Sequence, residues 1–126
     1  IVSKNAIINK NVKIGEGTLI LSNSIINTGT KIGKHCLIGI SCSIDHDNDF
    51  KKFSSVGPRV TTGGNVKVGE MSHLGISATI KNKVTIGKNT IIGGKSFINK
   101  DCINNCIYYG IPGKKIRKRN SDEKYL

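Results

Sequence analysis

The sequence predicts an all-β chain wound as a parallel β-helix, and two patterns carry that expectation. The first is a large apolar residue at every sixth position. From Val2, Ile8 and Ile14 onward to Ile98 and Asn104, sixteen of 18 such positions are large and apolar. A chain that is 37% apolar would place about seven there. The second pattern lies two residues earlier in each hexad. Sixteen of the 17 positions from Ala6 to Cys102 are small or β-branched, and only Asn48 departs. Six residues advance an α-helix by about 600°, so a helix cannot hold this repeat on one face. A strand alternates with period two and keeps every sixth residue on the same side.

Each remaining hexad position then takes its place. The aliphatic and the small residue share a strand face, so both point into a narrow interior. The next residue is Gly at 15, 33, 39, 57, 63, 69, 75, 87 and 93, and Asn or Asp at 9, 27, 45, 99 and 105. These residue types tolerate positive φ, which predicts a corner in each hexad. Short strands joined by corners wind into coils that satisfy each other's backbone groups. The pattern resembles the left-handed parallel β-helix of hexapeptide-repeat acyltransferases. With that family's three hexads per coil, residues 2–108 make about six coils. At roughly 4.8 Å per coil the prism stands about 29 Å tall. The organisation expected is a β-helix over 1–108 and a short C-terminal basic tail over 109–126.

Composition bounds what such a chain does. Its 126 residues allow one domain. Twenty Lys and Arg against eight Asp and Glu give +12, which favours anionic partners. Fifteen glycines argue against a helical bundle. No apolar run approaches the ~18 residues of a membrane span, and no signal segment opens the chain. Four cysteines lack metal or redox spacing, which fits a reducing compartment. A soluble, cytoplasmic protein is expected. The chain does not open on Met, as an excised domain would not. Cys36, Cys42 and Cys102 fall in the small inward slot and read as buried structural thiols, and no metal site is expected.

The exceptions to the repeat cluster between residues 45 and 64. Asn48 puts an amide in a small inward slot, and Phe50 and Thr62 interrupt the aliphatic series. Pro58 removes a backbone donor, and Gly63 and Gly64 are paired. The same stretch holds Asp45, His46, Asp47 and Asp49 in an otherwise basic chain. All three histidines fall on outward positions. His35 and His73 read as solvated surface side chains. His46 differs because carboxylates surround it. A carboxylate beside an imidazole fixes its tautomer and raises its basicity, as a general base near neutral pH requires. Asp47 reaches His46 only if the chain bends there, since neighbours on a strand point to opposite sides. Three hexads on, Gly64 stands one coil above His46, where a bare backbone N–H could hold a thioester carbonyl oxygen.

The segments Ser43-Ile44-Asp45-His46-Asp47, Thr62 to Glu70 and Tyr109-Gly110-Ile111-Pro112-Gly113 follow one another in order. They resemble the bacterial sugar acetyltransferases that include sialic acid O-acetyltransferases and UDP-4-amino-sugar N-acetyltransferases. That resemblance implies acetyl-CoA as donor and a homotrimer with active sites between neighbouring prisms. The acceptor is a sugar or nucleotide sugar. It implies His46 as the base, Asp47 as its tuning partner, and the Gly64 backbone as receiver of the acetyl carbonyl. Ser55, Ile76 and Gly94 would line the CoA path. The small N-terminal nucleotide-sugar-binding domain usual in that family has no counterpart here. Ser55 stands where some relatives place a second His, and Asn48 replaces a more usual Cys.

Other readings are weaker. Lys114, Lys115, Arg117, Lys118 and Arg119 form a dense run that reads as a solvated tail or as an attractor for phosphates. Specific nucleic-acid binding is disfavoured by only six aromatics, none interleaved with the basic residues. His35, His46 and His73 fall in three columns that do not coincide, so their spacing builds no metal triad. A non-catalytic β-helix scaffold or trimerisation domain is the alternative, and His46 discriminates, since a scaffold would tolerate its loss.

Overall fold

A computed structural model describes residues 1–120 and 122–124. Two-residue strands recur at the six-residue interval, three to a coil. The first coil carries β1 (Ile7–Ile8), β2 (Lys13–Ile14) and β3 (Leu19–Ile20). The second carries β4 (Ile25–Ile26), β5 (Lys31–Ile32) and β6 (Leu37–Ile38). The third carries β7 (Ser43–Ile44), β8 (Asp49–Phe50) and β9 (Ser55–Val56). The fourth carries β10 (Thr61–Thr62), β11 (Lys67–Val68) and β12 (His73–Leu74). The fifth carries β13 (Thr79–Ile80), β14 (Thr85–Ile86) and β15 (Ile91–Ile92). β16 (Phe97–Ile98), a bridge from Cys102 to Ile86, and β17 (Cys106–Gly110) complete a sixth. β18 (Gly113–Lys118) then turns back along β17.

Strands of successive coils pair in parallel, each with the strand three hexads on, as Ile25 pairs with Ser43 and Ser43 with Thr61. They form three sheets. The first face is β1-β4-β7-β10-β13-β16, the second β2-β5-β8-β11-β14, and the third β3-β6-β9-β12-β15-β17-β18. The result is a left-handed parallel β-helix of about six coils, with no helix among the described residues. Accordingly, no helix there is long and apolar enough to cross a membrane.

The interior is a single column. Ile20, Ile26, Ile38, Ile44, Leu74, Ile80, Ile92 and Ile98 are fully buried, and burying each stabilises the fold by roughly 1.5–3 kcal/mol. Phe50 is the largest of the fully buried side chains, and it shares its coil with the smaller Val56. Hydroxyls in the small slot are buried too, and those of Thr18, Ser24, Thr30, Ser72 and Thr90 donate to carbonyls. Ser24 Oγ donates to the Gly39 carbonyl at 2.7 Å and accepts from the Cys42 N–H at 3.0 Å. All four cysteines are buried free thiols, Cys106 among them. Burial, then the charge of Asp101, pushes the Cys102 thiol up to about 12.

The corners differ from expectation in one respect. Positive φ does not fall on the residue after the aliphatic. It falls two positions later, on Asn11, Asn23, His35, Ser41, Asp47, Phe53, Arg59 and their equivalents. Glycine after the aliphatic has a different cause, which is contact between coils. A Cβ on Gly15 would lie 2.5 Å from the Gly33 carbonyl carbon, and one on Gly69 would lie 2.5 Å from the Lys88 nitrogen. Stacking distance, rather than dihedral freedom, excludes a side chain there.

The basic run is likewise more ordered than a solvated tail. Its residues up to Lys118 form β18, antiparallel to β17 at the edge of the third face. Arg117 Nη1 donates to Glu123 Oε2 at 2.9 Å, and Arg119 Nη1 donates to Asn89 Oδ1 at 2.6 Å. Residues 121, 125 and 126 of the expected tail lie outside the described residues.

Candidate active site

His46 stands at the corner between the first and second faces, just after β7. Its neighbour Asp47 takes φ 54°, and that left-handed turn supplies the bend needed for the two side chains to meet. Asp47 Oδ2 lies 2.9 Å from His46 Nδ1. Asp45 Oδ1 accepts from the His46 backbone N–H at 2.7 Å and from Asn27 Nδ2 at 3.1 Å, so the turn is tied to the coil below. His46 itself is exposed. The hydrogen bond to Asp47, reinforced by the charges of Asp45 and Asp47, raises the imidazole pKa above its ordinary value. With Nδ1–H donating to the carboxylate, Nε2 carries the free lone pair.

Gly64 sits directly above. A Cβ there would lie 2.5 Å from His46 Cε1 and closer still to Nε2. The Gly64 carbonyl accepts from Lys83, while its N–H makes no hydrogen bond among the described residues. Below, Gly29 leaves room for the Asp47 carboxylate, since a Cβ on Gly29 would collide with Oδ1. Two glycines thus bracket the His46–Asp47 pair from the coils above and below. The corner presents a lone pair and a bare N–H side by side, as deprotonation of an acceptor and stabilisation of an oxyanion require.

The structure puts Ser55, Ile76 and Gly94 elsewhere. Ile76 and Gly94 occupy the corner between the third and first faces, stacked one coil apart. Neither backbone N–H is hydrogen-bonded among the described residues. A groove of about 300 Å³ passes Gly57, His73, Ile76, Gly94 and Tyr109. A second, of about 370 Å³ and nearly all apolar, adjoins it at Pro58 and reaches Ser55, Leu37 and Leu21. The His46 group and the Ile76–Gly94 group therefore lie on opposite edges of the first face of one prism.

His73 departs from the surface reading. It stacks over Ser55 in the register of the third face, and its Nδ1 lies 2.7 Å from Ser55 Oγ. Burial, then the charge of Arg119, lowers its proton affinity. The one-coil step from Ser55 to His73 is the signal that could have paired them. His35 stacks on Phe53 with ring centroids 5.4 Å apart. Among the described residues no group of three or more His, Cys, Asp or Glu could hold a metal ion.

No family model matches the chain. Among curated proteins it is 35% identical over 71 residues to a chloramphenicol acetyltransferase of Morganella morganii, covering 56% of this chain and 34% of that protein. It is 38% identical over 66 residues to the galactoside O-acetyltransferase of Escherichia coli K12, covering 52% and 30%. Among solved structures it matches a histidine-to-alanine mutant of GDP-perosamine N-acetyltransferase from Caulobacter crescentus, in complex with CoA and GDP-perosamine. That match has a TM-score of 0.90 and 29% identity over 91% of this chain and 55% of the other. The chain spans about a third of the curated relatives and about half of the structural one. In fold and in the part of the sequence that aligns, the chain resembles the sugar acetyltransferases built on the hexapeptide-repeat β-helix.

Proposed function

We propose that this chain carries out acetyl transfer from acetyl-CoA to a hydroxyl or amine of a bacterial sugar, either a sialic acid or a nucleotide-linked amino sugar, with His46 as general base. The observation that carries the reading is the His46 imidazole held between the Asp47 carboxylate and the bare Gly64 backbone. His46 Nε2 removes a proton from the acceptor as its oxygen or nitrogen attacks the thioester carbonyl carbon. The Gly64 N–H receives the negative oxygen of the tetrahedral intermediate. Collapse breaks the carbon–sulfur bond, the CoA thiolate takes the proton from the imidazolium, and free CoA and acetylated sugar result. Transfer is direct, because no Ser or Cys is hydrogen-bonded to His46 among the described residues.

The donor runs along the third corner, where the Ile76 and Gly94 N–H groups stand one coil apart to meet the amide carbonyls of pantetheine. Ser55 lines the adjoining apolar groove on the CoA path. Lys114, Lys115 and Lys118 on exposed β18 attract the phosphates of CoA. Since His46 and the Ile76–Gly94 strip sit on opposite edges of the first face, a complete site takes one edge from each of two copies. Outward Ile7 and Ile25 on that face are exposed apolar residues suited to burial in such an assembly. A closed ring of three copies puts each His46 edge against a neighbour's Gly94 edge.

The test is acetyl-CoA binding by calorimetry with wild type and Gly94→Val, followed by thiol release against nucleotide-linked amino sugars and sialic acid. Binding that Gly94→Val weakens, and release that His46→Ala abolishes, are expected. A folded oligomer that neither binds acetyl-CoA nor releases thiol would favour a scaffold.

A further inference from the structure

Asn48, the one amide in the small inward slot, and Thr62, a polar member of the aliphatic series, both bond the turn that carries His46. Asn48 is 1% exposed, and its Nδ2 faces three carbonyl oxygens: Asp45 at 3.0 Å, His46 at 3.1 Å and Gly63 at 2.9 Å. Three acceptors around one atom identify it as the nitrogen. Its Oδ1 is buried without a partner among the described residues, a cost that a Ser or Cys in this slot would not incur. Other hexads fill the slot with Ala or Val, which have no hydrogen to give, or with a hydroxyl or thiol, which has one. The amide gives two, and so joins the His46 turn to the Gly63–Gly64 turn of the next coil.

Thr62 adds a second irregularity. The N–H groups of Asn27, Gly63 and Lys81, at the equivalent corners, each donate at 2.9 Å to the carbonyl of the inward residue one coil ahead. The Asp45 N–H instead bonds the Thr62 hydroxyl, at 3.3 Å. At the corner that carries His46 one backbone bond is thus replaced by a side-chain bond, while the Asn65 N–H still donates to the His46 carbonyl at 3.0 Å.

We infer that Asn48 and Thr62 are positioning residues that set the separation between the His46 imidazole and the Gly64 N–H from inside the core. This rests on the proposed function for its catalytic consequence, though not for its structural one. A misplacement of about 1 Å between reacting groups costs on the order of 100-fold in rate.

Asn48→Ser and Thr62→Val test it, with Cys42→Ser as control in the same slot. Serine already occupies that slot at 24, 54, 72 and 96, so folding is expected to survive. Amide hydrogen exchange should accelerate about 10-fold or more in residues 45–48 and 63–66 only, with the corners at 27–30 and 81–84 unchanged. With the acceptor found by thiol release, kcat should fall about 10-fold or more while KM for acetyl-CoA stays within about twofold. Unchanged exchange and kcat, or acceleration spread evenly over the coils with a lowered Tm, would overturn the inference. Full activity of His46→Ala would remove the base assignment alone, leaving the exchange result to decide the role of Asn48 and Thr62.

Discussion

The His46 imidazole fills the space that a side chain on Gly64 would need, although the two stand a whole coil apart along the chain. This contact places Nε2, the nitrogen not engaged by Asp47, next to Gly64, whose N–H makes no hydrogen bond among the described residues. The proposed base and the proposed oxyanion donor are thereby held by adjacent coils of a stack, not by a loop.

That packing predicts what Gly64→Ala does. The new methyl must displace the His46 ring, so turnover should fall about 100-fold, close to the loss from His46→Ala. The His46 side chain is exposed, so neither change should lower Tm by more than a degree or two. Thiol release and thermal unfolding measured together check both. A Gly64→Ala enzyme with full turnover would show that the ring and the glycine do not act as a unit.

The carboxylate partner sets the pH dependence. Asp47 raises the His46 pKa above its ordinary value, and the base works only when neutral, so activity should rise with pH through a limb above 6.5. Asp47→Asn removes the main cause of that rise. Its acid limb should move to lower pH, while its plateau kcat drops with the loss of tautomer control. A limb that stays in place would remove His46 as the titrating group.

Two inactive variants should rescue each other. His46→Ala damages one edge of the prism and Gly94→Val the other. If each site joins edges from two copies, refolding an equal mixture should restore about a quarter of wild-type activity in a closed ring. Mixtures that remain inactive would place both halves of the site on a single chain.

His73 makes an independent prediction about stability. Burial lowers its folded pKa below 6.5, so the unfolded chain binds the proton more readily. Stability is therefore full above pH 6.5 and declines as pH falls from there toward the folded pKa. His73→Asn should flatten that decline below pH 6.5, read as Tm against pH. An unchanged slope would mean that the acid sensitivity arises at other groups.

Much of this was legible because a period-six pattern has one physical solution. The inward column from Ile20 to Ile98 and the vertical pairing of His46 with Gly64 both follow from counting hexads and grouping them in threes. The reason for glycine in the slot after the aliphatic did not follow, because the distance between stacked coils leaves no trace in one coil's dihedral preferences. Ser55 and His73 share a column by the same count, yet their bond depends on how deeply the third face buries an outward side chain. The role of Asn48 was hidden for another reason: an amide in a core slot signals an exception, but only coordinates show which carbonyls it meets. β18 lies beyond the repeat, where the period has nothing to say.

The three-hexad register also governs which insertions and deletions such a protein can survive. Losing one hexad between His46 and Gly64 would keep every aliphatic inward and every ladder bond available, so the prism would still fold. Everything above the lesion, however, would turn by one face, and Glu70 would arrive over His46 in place of Gly64. Loss of a full coil outside that interval would shorten the prism and return each column to its own edge. Hexads are thus interchangeable for folding, whereas catalysis tolerates length changes only in steps of three.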